Sequence, residues 1–295
     1  MRILLATDGS ENSEGAATFL TYLNLSPEDE ITVFHAICGV PCLYGQESYH
    51  ENLSTIKKEI APKILYSVLD ILKPVNAKIN TLILDGTPEH CIMDISIESD
   101  ADLIIMGARG TKGIDPLFIG SVTRAVAIKS SLPVLVAKLP VCRTADRIKI
   151  LFATDGSEHS AATAEILSGL PFPESTEITV LNVVPWEFLD IPKTYVPELN
   201  ERVNEVIEET RSERLIESKR IVDQAKECLN EKFMNISALS KVGDPLAEII
   251  KASERMETDL IAVGCRGLRG IKGMMGSVSR NVLSHSKCSV LIGKV

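Results

Sequence analysis

The chain has 295 residues, of which 45% are hydrophobic and 24% charged, and its formal net charge is -9. This length suffices for two domains that each bury a core, and the composition is ordinary for a globular protein. Acidic residues outnumber basic ones in both halves, which disfavours nucleic-acid binding. The first apolar run is too short for a signal peptide, and no stretch approaches the roughly 20 residues that span a bilayer. We therefore expect a cytoplasmic protein without membrane contact.

The first half of the chain alternates strand-like and helix-like segments. The apolar run Ile3–Thr7 predicts a buried strand, and helical spacing follows from Ser10 to Leu23, with Ser10 as the N-cap. The remaining predictions for this half are a long helix ending near Pro74, a helix opened by Pro88, a helix over Ser121–Ser130, and strands over Ile31–Ile37, Lys78–Leu84, Ala101–Met106 and Leu132–Lys138.

The second half repeats this order, and the repeat is the clearest signal in the sequence. The segment Ala6-Thr7-Asp8-Gly9-Ser10 recurs letter for letter as Ala153-Thr154-Asp155-Gly156-Ser157. The second half has a longer and highly charged helical region between Glu198 and Glu231, which fits either a solvated amphipathic helix or a partner-binding surface. The repeat predicts two domains, residues 1–140 and residues 147–295.

Strands that alternate with helices predict an α/β fold, in which a parallel sheet is covered by helices on both faces. Ligands of such sheets bind at the carboxyl ends of the strands, where the strand order reverses. The apolar last strands, Pro133–Lys138 and Ser289–Lys294, are nearly identical. Because open edges of that kind invite pairing, we expect these strands to pair with each other or with a second chain.

Each half also carries a glycine loop after its fourth strand. In the first half the strand ends at Gly107, Gly110 follows, and Gly120-Ser121 opens a helix; the second half matches this with Gly264, Gly267 and Gly276-Ser277, one residue shorter. Glycines permit close backbone approach, and a helix N-terminus offers N–H groups to an anion. The loops therefore predict two phosphate-binding sites.

Other phosphate and metal motifs are missing from the sequence. Neither loop has the G-x-x-x-x-G-K-[ST] or the G-x-G-x-x-G pattern, which disfavours a P-loop NTPase and a dinucleotide-binding domain. The seven cysteines form no C-x-x-C pair, and the histidines lack ligand spacing. We expect reduced thiols and no metal site.

These features give the chain a clear resemblance to one family. The A-T-D-G-S opening and the G-x2-G-x9-G-[ST] spacing of Gly107, Gly110, Gly120 and Ser121 are similar to those of universal stress proteins of the nucleotide-binding branch, here in tandem. The resemblance implies two doubly wound domains, each a five-stranded parallel sheet of order 3-2-1-4-5 flanked by helices. It also implies dimerisation through the last strand and ATP or AMP, with or without magnesium, held between the first and fourth strands.

The resemblance also implies which residues hold the nucleotide. Asp8 would contact the adenosine part, and Ala36 would contact adenine through its backbone. The ribose and phosphates would be held by Met106, Gly107, Arg109, Gly110, Gly120, Ser121, Val122 and Thr123. The counterparts in the second half are Asp155, Val183, Val263, Gly264, Arg266, Gly267, Gly276, Ser277, Val278 and Ser279.

Three functions remain open on the sequence alone. The first is a regulatory protein of the stress response that binds adenine nucleotides. The second is a slow ATPase, although no base or metal-ligand cluster stands out, and no transferase motif of the H-x-G-H type is present. The third is an interaction scaffold with one or both pockets empty. Because the two loops differ in length and charge, we expect the two sites to differ in affinity.

Overall fold

The computed structural model describes residues 1–39, 47–110, 119–142, 147–185, 201–268 and 275–295. The strands of the first half are β1 (Arg2–Ala6), β2 (Glu30–Ile37), β3 (Lys78–Asp85), β4 (Leu103–Gly107) and β5 (Val134–Ala137). Those of the second half are β6 (Lys149–Ala153), β7 (Glu177–Pro185), β8 (Asn235–Gly243), β9 (Leu260–Gly264) and β10 (Ser289–Gly293).

Four helices accompany each set of strands. They are α1 (Glu11–Leu20), α2 (Glu47–Leu72), α3 (Pro88–Glu98) and α4 (Ser121–Lys129), then α5 (Glu158–Gly169), α6 (Glu201–Asn230), α7 (Pro245–Met256) and α8 (Ser277–His285). The helix α1 ends earlier than its apolar spacing predicts. Tyr22 and Leu23 donate their backbone N–H groups to Phe19 and Leu20, three residues back. This tighter bonding ends the helix while Leu23 still packs into the core.

The strands form one sheet in the order β3-β2-β1-β4-β5-β10-β9-β6-β7-β8. Within each half all neighbours are parallel, and the order is 3-2-1-4-5. The predicted fold class, two tandem doubly wound α/β halves, is confirmed. The halves meet where β5 and β10 run antiparallel, with Leu135 opposite Leu291.

Helices bury both faces of the sheet because successive strand residues point to opposite sides. One apolar cluster includes Leu5 of β1 with Phe19 of α1 and Val222 of α6. The other includes Leu4 of β1 with Val126 of α4 and Val282 of α8. The doubly covered sheet explains why the strands read as continuous apolar runs in the sequence.

Two half-buried lysines join the halves through hydrogen bonds. Lys138, which follows β5, donates from Nζ to the carbonyl oxygens of Leu283 (2.6 Å) and Ser286 (2.7 Å) at the end of α8. Lys294, which follows β10, donates in the same way to Ala127 (2.8 Å) in the last turn of α4. Each lysine thus neutralises the partial negative charge at the C-terminus of a helix in the other half.

Both lysines have pKa values below the ordinary value of lysine. Burial lowers the pKa of Lys138 to about 8, from 10.5, and the positive charge of Arg109 contributes in the same direction. Burial also lowers the pKa of Lys294. Lys138 therefore loses its proton in a pH range in which lysines of an unfolded chain keep theirs.

This acidity predicts how stability changes with pH. Between pH 8 and 10.5 the unfolded chain binds the Lys138 proton more tightly than the folded chain does, so raising the pH favours folding. From pH 7 to pH 9.5, the free energy of unfolding should rise by about 2 kcal/mol relative to that of Lys138→Met. Denaturant titrations at the two pH values measure this difference. Lys129→Met, at an exposed position, is the control. The prediction is contradicted if the free energy of unfolding depends equally on pH in the wild-type chain, Lys138→Met and Lys129→Met.

Candidate functional site

The candidate sites lie at the carboxyl edge of the sheet, where the strand order reverses. In the first half β1 and β4 are neighbours, with Ala6 opposite Met106. In the second half β6 and β9 are neighbours, with Ala153 opposite Val263. The chain leaves each pair of strands toward helices on opposite faces, which opens a cleft between them. The turn after the first strand and the glycine loop after the fourth therefore face each other.

The turn after β1 is held by its own side chains. Gly9 has a φ of +78°, a backbone conformation that residues other than glycine rarely adopt. Asp8 Oδ1 accepts from the backbone N–H of Ser10 (3.1 Å), and Ser10 Oγ accepts from the N–H of Ser13 as the N-cap of α1 (3.3 Å). Thr7 Oγ1 donates to Ser13 Oγ (3.0 Å). The A-T-D-G-S sequence thus specifies a strand-to-helix turn.

The second turn reproduces these bonds. Gly156 has a φ of +77°. Asp155 Oδ1 accepts from the N–H of Ser157 (3.1 Å), and Ser157 Oγ accepts from the N–H of Ser160 (3.3 Å). The letter-for-letter repeat in the sequence therefore has a structural role in both halves.

Direct bonds join each turn to its glycine loop. Ser10 Oγ lies 2.6 Å from Asp8 Oδ1 and 3.1 Å from the carbonyl oxygen of Arg109, so its single proton serves one of them at a time. In the second half, the backbone N–H of Leu268 donates to Asp155 Oδ2 (3.0 Å). Ser10 thus makes a link between turn and loop in the first half, and Asp155 makes one in the second.

Four of the six signature glycines leave no room for a Cβ atom in the present packing, two of them against backbone and two against an aspartate side chain. A Cβ atom on Gly107 would lie 2.5 Å from the backbone carbon of Asn12, and one on Gly264 would lie 2.8 Å from that of His159. A Cβ atom on Gly110 would lie 2.2 Å from Asp8 Oδ2, and one on Gly267 would lie 2.4 Å from Asp155 Oδ2. These glycines let the fourth strand and its loop approach the first turn.

The other two signature glycines, Gly120 and Gly276, leave room for a Cβ atom. A Cβ atom on Gly120 would lie 3.5 Å from the nearest atom, Arg109 Cα, and one on Gly276 would lie 3.5 Å from the carbonyl oxygen of Cys265. Both glycines have negative φ values and precede α4 and α8 as N-caps. A Cβ atom at either position would make only ordinary van der Waals contacts, so the packing of the protein does not require glycine there.

The hydroxyl groups of the loops divide into two kinds. Thr123 Oγ1 donates to the carbonyl oxygen of Gly107 (2.8 Å), and Ser279 Oγ donates to that of Gly264 (2.6 Å), and both residues are buried. These protons tie the helix to the end of the strand. Ser121 and Ser277, in contrast, are exposed at the first helical positions. They are the hydroxyls that remain able to donate to an anion.

The second half encloses a cavity of about 550 Å³ at this edge. Predicted residues that line it include Asp155, Val183, Val263, Gly264, Arg266, Gly267, Gly276, Ser277, Val278 and Ser279. The Nε atom of Arg266 is buried there and has no hydrogen-bond partner among the described residues. A buried donor without a partner is costly, and an anion in the cavity would satisfy it.

Four wall residues of this cavity come from α6 and were not predicted as site residues. They are Arg214, Glu217, Ser218 and Ile221, spaced so that one face of the helix meets the cavity. Asn182 also lines it, and its Nδ2 donates to the carbonyl oxygen of Thr154 (2.7 Å). No sequence pattern says which residues of a helix border a cleft.

The first half places its predicted residues in the same positions. Met106 is buried in the apolar cluster, as Val263 is in the second half, and Val122 packs against that cluster. Ala36 is half-buried near the end of β2. His35 Nδ1 lies 2.8 Å from the carbonyl oxygen of Thr7, the contact that Asn182 makes in the second half. The loop residues 111–118 and 269–274 lie outside the described part of the chain.

The described residues contain no group of three His, Cys, Asp or Glu side chains that could hold a metal ion. None of the described helices is both long and apolar enough to cross a membrane.

The glycine packing predicts unequal effects of serine substitutions in the second loop. Gly264→Ser should lower the free energy of unfolding by about 1–3 kcal/mol, because its Cβ meets the backbone of α5. Gly276→Ser should change it by less than about 0.5 kcal/mol, because serine fits the space and is a good N-cap. Urea titrations of both variants measure the difference. Equal losses in the free energy of unfolding would contradict the prediction, because they would show that glycine is equally necessary for packing at both positions.

Comparisons with known proteins place the chain in a family. The profile of the "Universal stress protein family" matches residues 1–138 and 147–294. Universal stress protein YxiE of Bacillus subtilis is 34% identical over 149 residues, which cover 49% of this chain and 97% of that protein. A universal stress protein of Mycobacterium tuberculosis is 21% identical over 303 residues, covering 99% of this chain and 96% of that one.

A solved structure has the same fold along the whole chain. The crystal structure of a universal stress protein from Archaeoglobus fulgidus superposes with a TM-score of 0.63 at 21% identity, covering 99% of this chain and 96% of that one. The duplicated turns, the glycine loops and the two matches to the family profile lead to one conclusion: this chain belongs to the universal stress protein family and contains two tandem domains of that family.

Proposed function

We propose that this chain binds adenine nucleotides, ATP or AMP, at both clefts and acts as a regulatory binding module in a cytoplasmic stress response. The observation that carries the proposal is the space beside Gly120 and Gly276. Neither glycine is required by the protein's own packing, although both stand where a helix N-terminus offers N–H groups to an anion. A phosphate group is the ligand that makes use of such a position.

The polar groups of the second cleft fit a nucleotide. The Nε of Arg266, which has no partner in the described part of the chain, supplies a buried donor, and the exposed Ser277 supplies a hydroxyl. The phosphates would be held by Gly276, Ser277 and Arg266, and the adenosine part by Asp155 and the backbone of Val183. The chain's residues bind and orient the nucleotide, and a magnesium ion bound with it would neutralise phosphate charge.

The first cleft supports the same assignment residue by residue. Gly120, Ser121 and Arg109 would hold the phosphates, and Asp8 and the backbone of Ala36 the adenosine part. Thr123 and its counterpart Ser279 contribute by anchoring the helix to the strand rather than by donating to phosphate. The same arrangement in both halves is why we propose two sites per chain.

We further propose that the domains, residues 1–140 and 147–295, remain joined in solution through β5 and β10. In the described sheet β5 lies between β4 and β10, and β10 lies between β5 and β9. Neither last strand therefore offers a free edge to a second chain, so a homodimer uses a different surface.

Binding predicts a thermal shift. Mg-ATP or AMP at about 100 times its dissociation constant should stabilise the folded chain by about 2.7 kcal/mol per site, and the melting temperature should rise with ligand concentration. Differential scanning fluorimetry measures the shift. An unchanged melting temperature with both nucleotides would contradict the proposal and favour an interaction scaffold with empty pockets.

A bulky side chain in the phosphate space should remove one site. Gly276→Leu should abolish nucleotide binding in the second half, whereas Gly169→Leu, at the end of α5 where a Cβ meets no atom within 4 Å, should leave it intact. Titration with a fluorescent ATP analogue gives the number of sites in each variant. If Gly276→Leu binds as many equivalents as the control, the second site is wrongly placed.

A further inference from the structure

The long helices α2 and α6 pack against the corresponding turns of the two halves, so their residues can be compared directly. A Cβ atom on Gly9 would lie 3.0 Å from Ile64 Cγ1, and one on Gly156 would lie 3.1 Å from Ile221 Cγ1. The same isoleucine thus packs under the same turn in both halves. Counting back from these two isoleucines fixes which residues of the two helices correspond.

The corresponding residues of the two helices differ in chemistry. Lys57, Ile60 and Ala61 of α2 correspond to Arg214, Glu217 and Ser218 of α6, and the three α6 residues line the second cavity.

The strands beneath these helices differ as well. Ser218 Oγ donates to Ser240 Oγ of β8 (2.9 Å), and Ser240 is the register partner of Asn182. In the first half, His35 stands in the place of Asn182, and its register partner is Ile83. The second cleft is therefore polar where the first is largely apolar.

The polar wall lies at the end of the cavity away from the phosphate loop. The helix α6 packs on β7 and β8, whereas Gly276 and Ser277 follow β9 on the other side of β6. A nucleotide with its phosphates at Gly276 places its base toward β7 and α6. Arg214 and Glu217 thus stand on the base side.

Glu217 presents an ionised acceptor on this wall. Its side chain is half-exposed, and its oxygens accept from Arg220 Nη2 (2.8 Å) and Nε (3.0 Å). These hydrogen bonds lower the pKa of Glu217. Each carboxylate oxygen has a second lone pair, and an exposed ion pair is weak enough to rearrange when a ligand binds.

A carboxylate distinguishes guanine from adenine by the hydrogen-bond donors that each base offers. Guanine offers donors at N1 and at its amino group, and an acceptor at O6 that suits arginine. Adenine reverses this pattern, with a lone pair at N1 and a donor at N6. A carboxylate can therefore accept two hydrogen bonds from guanine but only one from adenine. Glu217, with Arg214 also lining the cavity, thus favours guanine over adenine, whereas Ile60 supplies no acceptor in the first half.

We propose that Glu217 and Arg214 are specificity-determining residues that give the second cleft a higher ratio of GTP affinity to ATP affinity than the first. This inference rests on the proposed nucleotide-binding function. The difference in nucleotide selectivity between the two sites is thereby attributed to the cavity-lining residues of α6, in addition to the unequal glycine loops.

The test measures both affinities at each site separately. Gly120→Leu isolates the second site and Gly276→Leu isolates the first, and dissociation constants for Mg-ATP and Mg-GTP are obtained by calorimetry on the full chain. We expect the GTP-to-ATP affinity ratio to be at least tenfold higher at the second site. Glu217→Ile should bring that ratio to the value of the first site.

Matched variants complete the design. Glu213→Ile removes a neighbouring exposed carboxylate of α6 that does not line the cavity, and it should leave the ratio unchanged. Ile60→Glu should raise the ratio at the first site. Circular dichroism confirms that each variant is folded.

Two kinds of failure are distinguishable. Equal ratios at the two sites, or a ratio that Glu217→Ile leaves unchanged while ATP still binds, would overturn this inference and leave the proposed function standing. Absence of binding by either nucleotide at either site would overturn both.

Discussion

The fold of each half depends on one close approach, that of the fourth strand and its loop to the turn after the first strand. Gly107 lies against the backbone of Asn12, and Gly264 lies against that of His159. Without these contacts the strands β1 and β4, and likewise β6 and β9, could not end side by side with their loops facing each other. The same contacts define the floor of each cleft, because the chain leaves the two strands toward opposite faces. Fold and candidate site therefore have one physical origin.

The junction of the halves extends this arrangement across the whole chain. The antiparallel pairing of β5 with β10 makes one sheet of two, and Lys138 and Lys294 reach from each half to the last turn of a helix in the other. Those helices, α8 and α4, begin at the signature glycines Gly276 and Gly120. The helix whose N-terminus borders one cleft is thus fixed at its C-terminus by the opposite half, so the structure of each site includes a contribution from its neighbour.

The sequence predicts the fold well because the fold follows from local patterns and a visible repeat. Apolar runs located the strands, Ser10 marked the start of α1, and the resemblance to universal stress proteins supplied the strand order. The details that depend on distant residues were not predictable. Thr123 and Ser279 look like phosphate ligands in a motif, but their protons are used by carbonyl groups sixteen and fifteen residues away. The wall formed by Arg214 and Glu217 depends on how α6 packs across β7 and β8, which no local pattern encodes. The early end of α1 likewise reflects tertiary packing of Leu23.

We propose that both clefts are nucleotide sites and that they are unequal, since the loops and the long helices differ around a common turn. The most direct test is isothermal titration calorimetry of the full, unmodified chain with Mg-ATP, which reports the number of sites and their affinities together. We expect two sites per chain with clearly different dissociation constants. A single site, two identical sites or no saturable heat would contradict this proposal.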